Sequence, residues 1–458
     1  MNILILGAGQ VGSTAAYSLA KEESNEVTIV DLDFDSLRDL QDRLDVRTIV
    51  GHGAHPEVLE KAGAKDSDIL IALTDSDEVN IVACEVASKL FNIPTRIARI
   101  RASEYIDHDE LFTKEAIAVD VPISPEELVT NHIIELLRFP GALQVLEFAE
   151  GKVRLVAALA RKGGALIGHP LKDMEELIPN IDYRVAAIYR GGKGIIPDGE
   201  TIIREGDEVF FIAARKDIRT VLKQMRKLDR PIRKVIIAGG GNIGLRLAQA
   251  LESKNEVKLI ERDRNQAKIV SEKLNKAIVL HGDASDEELL LEENIDRVDI
   301  FISVTDSEEA NILSAMLAKR LGARKVIALI NRPAYSDLLE AGTIDIAISP
   351  SQITLGTLLA HIRKGDVVKV HALRRGAAEA IEAVAHGESG SSDVIGKSLE
   401  EIDLPKGVTI GSIVRGDKVL MAHHDIIIEP DDHVILFMTE KDNMQDLEKI
   451  FEVGVNTL

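Results

Sequence analysis

The chain has 458 residues, with 76 acidic against 55 basic side chains and a net charge of −21. That balance argues against a general nucleic-acid-binding surface, which needs a basic face, and 3% aromatics without any Trp argue against a base-stacking platform. A single cysteine, Cys84, excludes an intrachain disulfide and fits a reducing compartment.

The first element is an apolar run, Ile3–Leu6, that opens into Gly7-Ala8-Gly9-Gln10-Val11-Gly12. This is G-x-G-x-x-G after a strand and before a helix. The first glycine permits the tight turn, the second lets backbone approach a pyrophosphate, and the third lets helix pack on strand. A second apolar run, Val27–Val30, ends at Asp31, placed to accept hydrogen bonds from ribose hydroxyls. Met1–Ala20 carries no charge, but it lacks a basic leader and its glycines explain it better as this fingerprint than as a signal peptide. No stretch reads as a membrane span, so a soluble protein is expected, with any membrane role acting through a partner.

Further strands are predicted at 46–50, 69–73, 95–100 and 118–121, alternating with helical segments, which implies a parallel sheet covered on both faces. Thr74 and Asp75 follow the fourth strand at the carboxyl edge, where ligands bind in such sheets. The Thr hydroxyl touches a nucleotide, caps the next helix, or does both. Arg99 and Arg101 end the fifth strand, where they meet phosphates or form surface ion pairs.

After position 140 the pattern changes to short alternating runs (KVRLVAAL, RVAAIYR, GDEVFFIA), read as a small α+β module. The stretch Lys223–Lys234, basic and stopped by Pro231, reads as a linker.

Then everything recurs. Val235–Ala238 opens into Gly239-Gly240-Gly241-Asn242-Ile243-Gly244, and Val257–Ile260 ends at Glu261. Gly7 and Gly239 lie 232 positions apart, Asp31 and Glu261 230, Thr74 and Thr305 231, and the Ser-Pro pairs at 124 and 349 225. TDSDEVN (74–80) and TDSEEAN (305–311) are the closest match. Steady spacing means that a whole unit was duplicated, including the small module, whose second copy carries a flexible GESGSS insert at 387–392. The expected fold is α/β: two tandem Rossmann-like doubly wound lobes, each followed by a small α+β lobe. The boundaries are set at 1–140, 141–228, 232–365 and 366–458.

Neither glycine loop contains a charged side chain, so both would hold phosphate through backbone N–H groups. Asp31 has no base beside it, which favours NAD or adenosine phosphates over NADP; Glu261 is followed by Arg262 and Arg264. Arg99 aligns with Leu329, so the copies differ where phosphate charge would be read. His52 with His55, and His423, His424 and His433, lack firm metal-ligand spacing. No P-loop, nucleophile elbow or zinc signature is present. A dehydrogenase would need a substrate domain that supplies an acid or base. Two nucleotide sites without that equipment point to sensing.

In combination, GAGQVG, GHG, TDSDEVN, RIARIR, FPGALQVLEFAEGKV, GGGNIG, HGDASDEELL and AHGES make the chain resemble, over nearly its whole length, the TrkA family: tandem RCK (KTN) proteins that serve as peripheral cytoplasmic subunits of bacterial Trk potassium-uptake systems. The resemblance implies a ring of RCK domains under a membrane potassium-translocating subunit of the TrkH/TrkG kind, at the inner face of the inner membrane. NAD(H) and ATP/ADP would bind in the lobes to gate ion flow, without catalysis. It carries over to Gly7–Val11, Asp31, Thr74, Asp75 and Arg99 in the first copy, and to Gly239–Ile243, Glu261, Asp283 and Thr305 in the second. His52-Gly53 stands where the second copy has Gly282-Asp283, and Gln10 and Asn242 stand where some relatives carry a phosphate-reading Arg.

Overall fold

The structure is a computed structural model that describes all residues except 23, 107, 114–115, 226–230, 333–334, 336–342, 363–366, 374–377, 388–393, 423–424, 440–443 and 452–458. Most of the predicted insert, and His423 and His424, therefore lie outside the described residues.

Six parallel strands form the first sheet: β1 Asn2–Leu6, β2 Glu26–Asp31, β3 Arg47–Val50, β4 Ile69–Ala72, β5 Thr95–Arg99 and β6 Val121–Ile123, in the order 3-2-1-4-5-6. The order reverses between β1 and β4, the switch point at which doubly wound sheets open a crevice. Leu4, Ile5, Leu6, Leu70, Ile71 and Ala72 are buried on both faces of the sheet, which is why these strands read as unbroken apolar runs. Fully burying one Leu or Ile side chain contributes roughly 1.5–3 kcal/mol.

An antiparallel sheet follows: β7 Ala142–Phe148, β8 Val153–Leu159, β9 Tyr183–Arg190, β10 Lys193–Ile195 and β11 Glu208–Ala214, ordered 10-9-11-8-7. The second copy repeats both. β12 Lys234–Ala238, β13 Glu256–Glu261, β14 Ile278–His281, β15 Ile300–Ser303, β16 Lys325–Leu329 and β17 Ile346–Ile348 are ordered 14-13-12-15-16-17. β18 Val367–Leu373, β19 Ala378–Val384, β20 Val408–Arg415, β21 Lys418–Met421 and β22 His433–Met438 are ordered 18-19-22-20-21. Duplication read from sequence spacing is thus duplication of topology, strand for strand.

The chain divides into two compact units. The first comprises Met1–Val129 with Leu329–Arg332 and Ile348–Leu358; the second is the remainder. Two of the boundaries fall inside the helices Pro125–Arg138 and Pro350–Ile362. Within the second unit the two antiparallel sheets share one core, in which Phe148, Phe210, Ile212 and Tyr189 pack with Val414, Ile435 and Phe437. The sheets meet so closely at Gly411 that a Cβ there would lie 3.3 Å from Ile212. No helix among the described residues is long and apolar enough to cross a membrane.

Candidate nucleotide sites

Both glycine loops are built the same way. Gly7 has φ +101°, and a Cβ there would sit 2.8 Å from the Leu73 carbonyl oxygen; Gly239 has φ +107° and faces Val304 in the same way at 2.9 Å. At Gly12 and Gly244 a Cβ would overlap the carbonyl oxygens of Gly7 and Gly239 at 1.9 Å. These four glycines are fixed by protein sterics. Gly9 and Gly241 differ: a Cβ at either meets no protein atom within 4 Å. Each is the N-cap of a helix, Gln10–Leu19 or Asn242–Leu251, and neither helix start has a side-chain cap. A bare glycine over uncapped N–H groups is a cradle shaped for an approaching phosphate.

The acids at the ends of β2 and β13 hold the loops from the side. Asp31 Oδ2 accepts from Ala8 N–H at 2.5 Å and Oδ1 from Asp33 N–H at 2.8 Å. Glu261 Oε2 accepts from Gly240 N–H and Oε1 from Asp263 N–H, both at 2.7 Å. Each oxygen keeps a second lone pair for a ribose hydroxyl. In the second copy Gln266 Nε2 also donates to the Gly240 carbonyl at 2.7 Å. In the first, Gln10 is exposed and accepts from Asn331 Nδ2 within the same unit.

The Thr at each carboxyl edge is not the helix cap. Ser76 caps the helix Asp77–Phe91 by accepting from Val79 N–H, and Ser307 caps Glu308–Arg320 by accepting from Ala310 N–H. Capping falls to these serines because each stands directly before its helix. Thr74 and Thr305 are instead held by asparagines. The buried Asn80 accepts from Thr74 N–H at 3.0 Å and from its hydroxyl at 2.6 Å, and donates to the Arg99 carbonyl at 2.9 Å. Asn311 accepts from Thr305 N–H at 2.8 Å and its hydroxyl at 2.7 Å. Sequence reasoning used these asparagines only for register; their identical spacing from the threonines was the available signal.

In the second copy the residues converge on a cavity of about 520 Å3 lined by Gly239, Gly241, Glu261, Asp283 and Thr305. Gly240 and Gly244 lie buried beneath, and Asn242 and Ile243 begin the helix. The lining also includes Arg262, one of the two arginines that follow Glu261 in the sequence, and Ser285, Ser307, Leu313 and Ser314, which sequence reasoning did not single out. Asp283 shapes the turn by accepting from Ser285 N–H at 2.8 Å. In the first copy Asp75 is fully exposed at the sheet edge, and Arg99 lies between it and Glu126 at 3.6 and 3.0 Å. Arg101 pairs with Asp77 at 3.6 Å. The two arginines are thus engaged by carboxylates. His52 and His55 stack at 4.4 Å, and no cluster of three or more metal-type ligands occurs among the described residues.

Glycine cradles, uncapped N–H groups and edge carboxylates form a donor and acceptor set that fits an adenosine-containing phosphate ligand. The models of the TrkA-N domain match residues 3–125 and 235–350, and those of the TrkA-C domain match 155–226 and 389–452. The Trk system potassium uptake protein TrkA of Halomonas elongata is 55% identical over 99% of both chains, and that of Vibrio alginolyticus 54% over 99% of both. The chain belongs to the TrkA family. Among solved structures, the GsuK channel bound to NAD matches with a TM-score of 0.61 and 18% identity, covering 98% of this chain and 78% of that one. At that identity the match speaks to fold: two Rossmann-like lobes, each with its antiparallel companion. TrkA-family membership makes the chain a component of potassium uptake. It also places the glycine loops within the matched N-type segments and most of the antiparallel sheets within the C-type ones.

Proposed function

We propose that the chain is a non-enzymatic, nucleotide-sensing subunit that controls a membrane potassium-translocating partner of TrkH/TrkG type. It would act at the cytoplasmic face of the inner membrane, as part of a ring of RCK domains. Its working parts are four modules, 1–140, 141–228, 232–365 and 366–458, of which the first and third bind nucleotide. The observation that carries this reading is the paired cradle: two uncapped glycine loops, each bracketed by an edge carboxylate, in a member of the TrkA family. The adenosine and diphosphate portion common to NAD(H), ATP and ADP satisfies that set of groups. Loop residues Gly7–Gly12 and Gly239–Gly244 would hold phosphate, and Asp31 and Glu261 the ribose. Asp283 and Thr305 would line the second site, and Thr74 and Asp75 the edge of the first. Arg99 would reach a phosphate there by exchanging Asp75, its exposed partner, for the ligand. Binding that favours one ring state by about 1–3 kcal/mol shifts gating 5- to 150-fold.

Calorimetric titration of NADH, NAD, ATP and ADP into the purified chain tests the reading, with Gly9→Asp and Gly241→Asp as loop-blocking variants. Two binding events, each lost in one variant, are expected. Absence of binding by the wild-type chain would overturn the sensor assignment.

A further inference from the structure

Away from both glycine loops, the second unit contains a cleft of about 1040 Å3 between its antiparallel sheets. The end of the helix Pro125–Arg138, the start of β8, the loop after β11 and the β20–β21 hairpin enclose it. Its lining carries seven cationic side chains against three aspartates, in a chain whose net charge is −21. Arg154 is the fixed point. It is 5% exposed, its Nε donates to Glu147 at 2.9 Å, and its Nη2 lies 3.3 Å from Glu135. Its guanidinium and that of Arg219 both cover the Phe139 ring, 4.8 and 5.4 Å from the centroid. Lys152 reaches across to Asp417 at 3.1 Å. Arg215 and Lys216 are exposed and form no ion pair among the described residues.

The chain supplies its own control, because the antiparallel lobe occurs twice. Arg190 and Asp207 pair at 2.7 Å, and their counterparts 225 positions on, Arg415 and Asp432, pair at 2.8 Å. Charges the lobe needs for its fold are therefore present in both copies. Four of the seven cleft cations are not, whereas Arg138, Lys216 and Lys418 have basic counterparts in Arg363, Lys441 and Lys193 of the sequence. At the same offset Lys152, Arg154, Arg215 and Arg219 face Ala377, Glu379, Glu440 and Met444 in the sequence. Lys152, Arg154, Arg215 and Arg219, basic in one copy only, are therefore not a requirement of the lobe.

We propose that this cleft binds an anion carrying two or more phosphoryl groups. The cations surround the cleft rather than converge on one point, and its volume far exceeds that of a single phosphate. Arginine presents the planar fork that recognises phosphate oxygens bidentately, and a concave low-dielectric wall strengthens the attraction. The site is separate from the glycine loops and does not depend on their ligand.

The test is calorimetric titration of magnesium-free tripolyphosphate, and separately of ATP, into the full chain at low and high salt. The comparison is Arg215→Glu with Arg219→Met, the residues of the other copy. A second variant, Arg215→Gln with Lys216→Gln, changes only exposed positions, and thermal melting reports that each stays folded. Tripolyphosphate is expected to bind the wild-type chain, at least tenfold more weakly in both variants and more weakly in high salt. A variant-sensitive component for ATP as well would mark a nucleotide as the source, and one for tripolyphosphate alone a free oligophosphate; both uphold the site. Equal binding by folded variants, no binding by the wild-type chain, or loss of binding only in Gly241→Asp or Gly9→Asp would overturn it.

Discussion

Glu261 accepts a hydrogen bond from the Gly240 backbone N–H at 2.7 Å, and a Cβ added to Gly240 would lie 3.0 Å from that same carboxylate oxygen. In the first copy the corresponding pair is Ala8 and Asp31, joined at 2.5 Å. One copy places the extra carbon on the loop and the other places it on the acid. The hydrogen bond that fixes the loop survives in both.

The pairs should therefore be exchangeable only together. Gly240→Ala alone crowds Glu261 and Val270 and is expected to cost about 1–3 kcal/mol, as overpacking does. Adding Glu261→Asp recreates the first copy's pair and should recover most of that loss, a coupling within the 0.5–3 kcal/mol seen for contacting residues. Denaturation midpoints of the two singles and the double measure it. Additive losses would show that the two positions do not compensate.

The buried asparagines set the second expectation. Replacing Asn311 by Ala strands the Thr305 N–H and removes partners of the Ser303 and Thr305 hydroxyls. Leaving buried polar groups unpaired costs about 1–3 kcal/mol. Because Thr305 lines the 520 Å3 cavity, nucleotide binding in the second copy should weaken with stability. Asn80→Ala should do the same in the first copy alone. Melting curves and titrations of both variants decide the matter; an Asn311→Ala chain as stable as wild type would remove the strut role.

How far these features could be read beforehand follows their range along the chain. Gly7, Gly12 and Asp31 lie within one strand–helix–strand unit, so spacing alone assigned them, and the fold class followed from apolar periodicity and repeat offsets. Thr74 was ambiguous because hydroxyls at 74 and 76 both stand near a helix start, and only geometry assigns the cap to Ser76. Arg99 was read as a phosphate or ion-pair residue without Glu126, since alternation along a strand says nothing about a helix 27 positions away. The basic cleft was invisible: Lys152 and Asp417 are far apart in sequence, and local composition around each is ordinary.

The paired charges of the antiparallel lobes give a pH expectation. Burial by itself would raise the Asp207 carboxyl. Hydrogen bonds from Arg190, at 2.8 and 2.7 Å, and from the Arg204 N–H outweigh it, and the carboxyl titrates below its usual range. A depressed folded pKa stabilises above the unfolded value of about 3.9, and that contribution is lost as pH falls through the folded pKa. Asp207→Asn should therefore destabilise the chain by about 1–3 kcal/mol at neutral pH. The gap to wild type should narrow below about pH 4. Chemical denaturation across that range checks both; a gap that stays constant with pH would show that the charge of Asp207 does not matter.

Cys84 offers a reporter for the first copy alone. It is fully buried in the helix Asp77–Phe91, within the core that includes Leu4, Leu70 and Ala98, and burial pushes its thiol up to about 12. At pH 7 the reactive thiolate is then about one part in 10^5, and alkylation should require opening of the first unit. A ligand that binds only the closed form slows opening-limited labelling by the factor 1 + [L]/Kd. Iodoacetamide labelling followed by mass spectrometry should therefore be slowed by nucleotide in the wild-type chain and in Gly241→Asp. In Gly9→Asp it should be unaffected, because the protecting loop belongs to the same lobe as the thiol. Protection that persists in Gly9→Asp but disappears in Gly241→Asp would mean that the nucleotide acts on the first unit from the second copy's loop, reversing the assignment of local effect.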